Sequence, residues 1–144
     1  NISHNLSPTA ITEFGLLNSV KNYCSKLEQL HPIKITFQHF GNEIKLSNNI
    51  ETIIYRIVQE LVNNIIKHAE ATEAMVQINY HKNNIFITVE DNGKGFSKAS
   101  KNAGIGLKNI SSRIAFLNAT LDEEHHTKGT TFNINIDLNN IPKS

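Results

Sequence analysis

The sequence has a single cysteine, Cys24, so no disulfide can form within the chain. That suits a reducing compartment such as the cytosol. Cys24 lies between Val20 and Leu27 on an amphipathic stretch, which predicts a buried structural thiol and not a nucleophile. Net charge is nearly absent: 14 Lys and Arg against 13 Asp and Glu leave +1 over 144 residues. There is therefore no bulk electrostatic case for nucleic acid or for a membrane surface. No apolar run reaches the ~20 residues that span a bilayer, and no signal-peptide pattern opens the chain. The seven histidines are scattered and form no titratable tract. The first residue is Asn1, not Met, and the chain reads as a piece of a longer protein.

Familiar ligand motifs are missing too. Gly93–Gly106 contains no G-x-x-x-x-G-K-[ST], so it is not a P-loop, and the G-x-G-x-x-G dinucleotide fingerprint is absent. Asp91 could start a calcium loop, but Gly93, Gly95 and Asn102 stand where oxygen ligands and the closing Glu belong. His125-His126 lacks the spaced Cys or His partners of a zinc site and reads as a solvated turn.

What is present is a balanced domain, with 39% hydrophobic and 19% charged residues and enough length for one core. Ile11–Leu30 has Phe14, Leu17, Val20, Cys24 and Leu27 at helical spacing, and His31-Pro32 ends it. Ile33–Phe40 alternates like a half-buried strand. Asn48 with Glu51 three residues on predicts a capping box, and the helix it opens runs to about Ala69 with Ile50, Ile53, Ile54, Ile57, Leu61 and Ile65 on one stripe. Strands near Ala74–Tyr80 and Ile85–Glu90 are joined by a short polar link, a hairpin. A helix is expected at about Leu107–Leu117, then strands at Ala119–Glu124 and Thr130–Leu138. The simplest packing is α+β: a two-layer sandwich with helices on one face of a mixed, mainly antiparallel sheet.

Three clusters carry chemistry. In Glu60-Leu61-Val62-Asn63-Asn64-Ile65-Ile66-Lys67-His68-Ala69, the residues Glu60, Asn64, Lys67 and His68 sit at helical spacings and share a face. Two successive asparagines weaken a helix interior, although a merely solvated face would look similar. Asp91-Asn92-Gly93-Lys94-Gly95-Phe96 follows an apolar strand. Its glycines let backbone approach a ligand, and an ionised Asp91 accepts hydrogen bonds only, which suits an exocyclic amine. A plain Asn-Gly hairpin is the alternative, but a polar stretch and a helix follow instead of a strand. Gly104-Ile105-Gly106-Leu107 opens a helix, where free N–H groups bind phosphate, although a loop merely entering a helix would look the same.

The order of these blocks, closed by Gly129-Thr130-Thr131-Phe132, resembles the gyrase/Hsp90/histidine-kinase/MutL ATPase superfamily over roughly Ile33 to Leu138. Lys67-His68-Ala69, with Ser3-His4-Asn5-Leu6-Ser7-Pro8 and Phe14-Gly15-Leu16, resembles its histidine-kinase branch related to nitrate and cell-envelope sensors. The resemblance implies the Bergerat ATP-binding fold in residues 31–144, with 1–30 a connector and helix following a dimerisation hairpin. It implies ATP and Mg²⁺ as ligands, with Asn64 on the metal and Lys67 on a phosphate. Asp91 would accept from the adenine amine, with Gly93 and Gly95 shaping its pocket. Gly104 and Gly106 would let a lid close, and Thr130 or Thr131 would back the adenine. Asn63, His68, Ile105 and Leu107 fall in the same nucleotide-binding boxes. Glu60 is the matching carboxylate, expected with Lys67 to act in catalysis by positioning metal or water.

The activity so implied is transfer of the ATP γ-phosphoryl to a histidine on a separate dimerisation helix, then onward to a response regulator. A cytoplasmic domain is implied, monomeric in isolation, within a homodimeric protein that can be membrane-anchored. No histidine here precedes Asp or Glu, so the acceptor, including His4 as a candidate, is expected elsewhere. The alternatives are an anti-sigma-factor-type serine kinase and a nucleotide-binding module without transfer activity. The polar segment Ser97–Asn102 is expected to act as the lid.

Overall fold

The computed structural model describes residues 8–94 and 104–143. Its elements are α1 (Pro8–Leu30), β1 (Lys34–Phe40), α2 (Asn48–Asn64), β2 (Glu73–Tyr80), β3 (Asn84–Asp91), α3 (Gly104–Phe116), β4 (Thr120–His126) and β5 (Gly129–Asp137). One π-helical turn, Ile65–Ala69, continues α2. The five-stranded sheet has the order β1-β2-β3-β5-β4, with β1 parallel to β2 and the other pairs antiparallel. This is the expected two-layer α+β arrangement.

Alternation along the strands decides which face is covered. Val76, Val89 and Phe132 stand in register across β2, β3 and β5, and all are buried. Ile78, Ile85, Ile87, Ile134 and Ile136 extend the same layer against Ile54, Ile57, Val58 and Leu61 of α2. The opposite face is polar, with Thr88 donating to Asn133 and Asn84 to Asn135. Antiparallel sheets tolerate one wet face, so a single layer of helices suffices.

Two local expectations need correction. The α1 stripe changes phase at Gly15, whose φ of 76° and ψ of 171° interrupt the helix. Ile11 and Leu16 therefore enter the core, while Phe14 remains 51% exposed and Leu17 only half-buried. Val20, Cys24 and Leu27 are buried as the spacing predicts. The cap of α2 is Ser47, not Asn48: its hydroxyl accepts from the Ile50 N–H at 3.2 Å. Glu51 is fully buried, accepting from the Leu46 N–H at 3.2 Å and pairing with Lys45 at 3.1 Å. Asn48 instead donates to the Thr12 hydroxyl at 2.9 Å, tying α2 to α1.

Cys24 lies in the α1–α2 seam beside the edge-on rings of Tyr23 and Tyr55. Burial, with a smaller push from Glu28, raises its thiol pKa to about 12. Thiolate is the reactive form, so the folded domain should resist iodoacetamide at about pH 8 and react once denatured. Mass spectrometry reads the outcome; native labelling at the denatured rate would mean that α1 does not pack on α2.

Candidate functional site

β3 runs apolar into the core and ends on a charge. Asp91 is 4% exposed, opposite Thr130 of β5. Its Oδ1 accepts the Gly93 N–H at 2.8 Å, closing the turn, while its Oδ2 is buried without a partner. Burial raises the carboxyl pKa; hydrogen bonds from the backbone of Gly93 and Thr130 oppose the rise, and nearby Glu90 adds to it. Among the described residues this acceptor has no donor, and a buried acceptor without one is costly.

The turn after Asp91 is fastened at two points. Asn92 accepts from the N–H groups of Thr72 and Glu73 at 2.9 and 3.0 Å and donates to the Thr72 hydroxyl at 3.0 Å. Lys94 N–H donates to the Ala69 carbonyl at 2.8 Å. Gly93 lies so close to that residue that a Cβ would overlap the Ala69 carbonyl oxygen. On the far side, Gly129 has a φ of 106°, and a Cβ there would overlap the Asp91 carbonyl oxygen. Asn92 and Gly129 are the members that sequence reasoning missed. Asn92 was visible only as half of an Asn-Gly turn, and Gly129 only as the opening of its motif.

The end of α2 supplies the second half. Asn64 is 7% exposed, and among the described residues its Nδ2 is buried without a partner. Glu60, Asn63 and His68 are half-buried, whereas Lys67 is exposed. The π turn explains that spread: an i→i+5 turn rotates Lys67 and His68 away from the phase that a regular helix would give them. It ends at Glu70 in a left-handed conformation, φ 53°.

Thr130 and Thr131 are neighbours on a strand and so face opposite sides. Thr130 stays beside Asp91. Thr131 turns to the open face, donating to Glu90 at 3.2 Å and contacting His126 at 3.1 Å. Gly104, Ile105, Gly106 and Leu107 form the first turn of α3. Gly95 and the Ser97–Asn102 lid lie outside the described residues, as do Ser3–Ser7 and His4. Among the described residues no group of three His, Cys, Asp or Glu side chains is arranged to hold a metal. None of their helices is long and apolar enough to cross a membrane.

Residues 49–140 match the family model of the histidine kinase-, DNA gyrase B- and HSP90-like ATPases. The chain is 31% identical over 139 residues to the signal transduction histidine-protein kinase/phosphatase DegS of Brevibacillus brevis, covering 95% of this chain and 36% of that protein. It is 28% identical over 141 residues to the oxygen sensor histidine kinase NreB of Staphylococcus carnosus, covering 96% and 41%. The chain thus spans less than half the length of these curated relatives. The histidine kinase domain of a blue-light-activated kinase from Erythrobacter litoralis shares the fold, with a TM-score of 0.72, 23% identity, and coverage of 86% of this chain and 61% of that one.

The raised Asp91 pKa has a definite sign for stability. Between the ordinary carboxylate value and the raised one, the folded state holds more protons than the unfolded state, so this group's contribution falls as pH rises through that window. Asp91→Asn keeps an oxygen for the Gly93 N–H but does not titrate. Its melting temperature should equal or exceed the parent's near neutrality and vary less with pH across the weakly acidic range. Thermal melts read both; a variant that loses stability most at the highest pH would refute it. Gly93→Ala should instead destabilise by about 1–3 kcal/mol, because the Ala69 carbonyl has to move.

Proposed function

The chain belongs to the histidine kinase-, DNA gyrase B- and HSP90-like ATPase family, and from that premise we propose that it is the ATP-binding catalytic domain of a sensor histidine kinase. The observation that carries this reading is the pair of buried, unpartnered polar atoms, Asp91 Oδ2 and Asn64 Nδ2, at the joined ends of β3 and α2. An unpartnered carboxylate oxygen beside a turn too tight for side chains is what an exocyclic amine requires. An amide one turn beyond Glu60 offers an oxygen and an N–H, the two functions needed at a metal-bound phosphate. These residues fit Mg²⁺-ATP.

Asp91, with Gly93 shaping its turn and Thr130 beside it, takes the adenine. The Asn64 amide oxygen takes Mg²⁺, which usually keeps few protein ligands and several waters and phosphates. When bound, the ion neutralises phosphate charge, and positioning plus electrostatics account for most catalysis of phosphoryl transfer. Lys67, exposed at the rim, is placed to meet a phosphate from the solvent side. Glu60 orients metal-bound or free water. Gly95, Gly104 and Gly106 belong to the covering segment. The acceptor is a histidine on a dimerisation helix elsewhere in the full-length protein, reached through residues 1–30, and a response regulator takes the phosphoryl group from it. Both curated relatives are named as histidine kinases, which supports this reading over a serine kinase.

Calorimetry tests the adenine contact. The parent should prefer ATP to GTP, and Asp91→Ala should lose roughly 1.5–3 kcal/mol of ATP affinity, about ten- to a hundred-fold. Equal affinity for both nucleotides in the parent would remove adenine recognition from Asp91. Asn64→Ala should weaken ATP binding more with Mg²⁺ than with the metal chelated. A drop equal in both conditions would make Asn64 structural.

A further inference from the structure

A second cleft, of about 470 Å³, lies between the first half of α2 and the last turns of α3. Its lining is Asn48, Asn49, Thr52, Ile53, Arg56 and Arg113. At 1.5 Å per residue, Arg56 is about 12 Å and Asn48 about 24 Å along the helix from Asn64, so the cleft is separate from the nucleotide site.

The composition of this lining is one-sided. Its lining residues are two arginines, two asparagines, a threonine and an isoleucine, with no carboxylate, and the side-chain stems contribute much of the wall. Among the described residues neither arginine enters an ion pair, although acids elsewhere pair with Lys45, Lys94, His125 and His126. Arg113 Nη1 is sealed from solvent, with no acceptor among the described residues. Arg56 is exposed and Arg113 half-buried on this cleft, and a buried guanidinium donor without an acceptor carries a desolvation cost. An oxyanion bound at Arg113 removes that cost, since a guanidinium offers a planar fork of donors matched to carboxylate or phosphate oxygens. The volume is that of a small-molecule pocket, larger than one phosphate needs.

We propose that the α2–α3 cleft is an anion-binding site, in which Arg56 and Arg113 together hold a small ligand with two or more phosphate or carboxylate groups. Asn49 and Thr52 line the remaining wall and set its orientation. The proposal does not depend on what binds at Asp91.

The test is a nuclear magnetic resonance titration of the ¹⁵N-labelled domain with pyrophosphate and, separately, with citrate, at an ionic strength held constant with sodium chloride. Saturable shifts at the Asn49, Ile53 and Arg113 amides are expected, together with a rise in melting temperature that grows with ligand concentration. Pyrophosphate binding stronger than citrate assigns a phosphate ligand; the reverse assigns a carboxylate. Arg113→Gln and Arg56→Gln should each weaken binding about tenfold or more, and Arg113→Lys, which keeps the charge but loses the fork, by less. The Arg56→Gln variant should keep the parent's ATP affinity. Shifts absent from this cleft, shifts reproduced by chloride alone, or undiminished binding in the folded glutamine variants would overturn the proposal. The titration of the parent protein decides the first two outcomes even if a variant fails to fold.

Discussion

The carbonyl of Ala69 joins the two halves of the candidate site. It ends the π turn of α2, accepts the Lys94 N–H, and lies against Gly93 at a distance only a glycine permits. Through it the polar end of α2 is fixed relative to the end of β3. Asn64 lies five residues before Ala69 and Asp91 two before Gly93, so this one contact ties together the segments that carry them. Asn92 holds the same turn from the sheet side and Gly129 from beneath. Neither contact involves a residue with its own chemistry. They limit how far the two reactive side chains can drift, and geometric precision of that order is what positioning catalysis requires.

The strands were legible because their signal is simple. A period of two, read in Val76 to Tyr80 and Phe132 to Ile136, names the buried face directly, and burial follows it. The long apolar stripe of α2 was legible for the same reason: Ile50, Ile54, Ile57, Leu61 and Ile65 are all buried, and only Ile53 sits at the edge. The errors fall where one residue changes the period. Gly15 leaves helical geometry and moves burial from Phe14 and Leu17 to Leu16. Ser47, not Asn48, is the cap, and Glu51 turns back to Lys45 and the Leu46 N–H, six and five residues before it, instead of closing a box with Asn48. Asp91 and Asn64 were found as residue types in an order. The close approach of Gly93 to Ala69 beside them was not, because it is a contact between segments far apart in the chain.

The helix α1 is more than a tether. Its residues Ile11, Leu16, Val20, Cys24 and Leu27 belong to the same core as α2. Tyr23 packs edge-on to Tyr55 with ring centroids 6.1 Å apart, and its hydroxyl pKa is raised first by burial and then by Tyr55, Cys24 and Glu60. Asn48 bonds to Thr12 near the start of the same helix. A shift of α1 along α2 would therefore be felt at Glu60, one turn from Asn64. The break at Gly15 divides α1 into an entry segment and a segment locked to the core. The first half is held as well, by the buried Ile11 and by the Thr12–Asn48 bond, so moving it would cost core burial as well as a change at Gly15.

A cost runs through the site that the rest of the fold has to carry. The unpartnered oxygen of Asp91 and the unpartnered amide nitrogen of Asn64 both weaken the free domain, because each forgoes water without gaining a protein partner. The apolar layer from Val76 to Phe132 and from Ile50 to Ile65 is continuous around them, which is why two such defects are tolerated. Asp91 carries that cost most clearly, because burial acts directly against its charge. Hydrogen bonds from the backbone of Gly93 and Thr130 oppose the effect without cancelling it, so the carboxyl pKa stays raised and the folded domain gains least from this group where it is ionised.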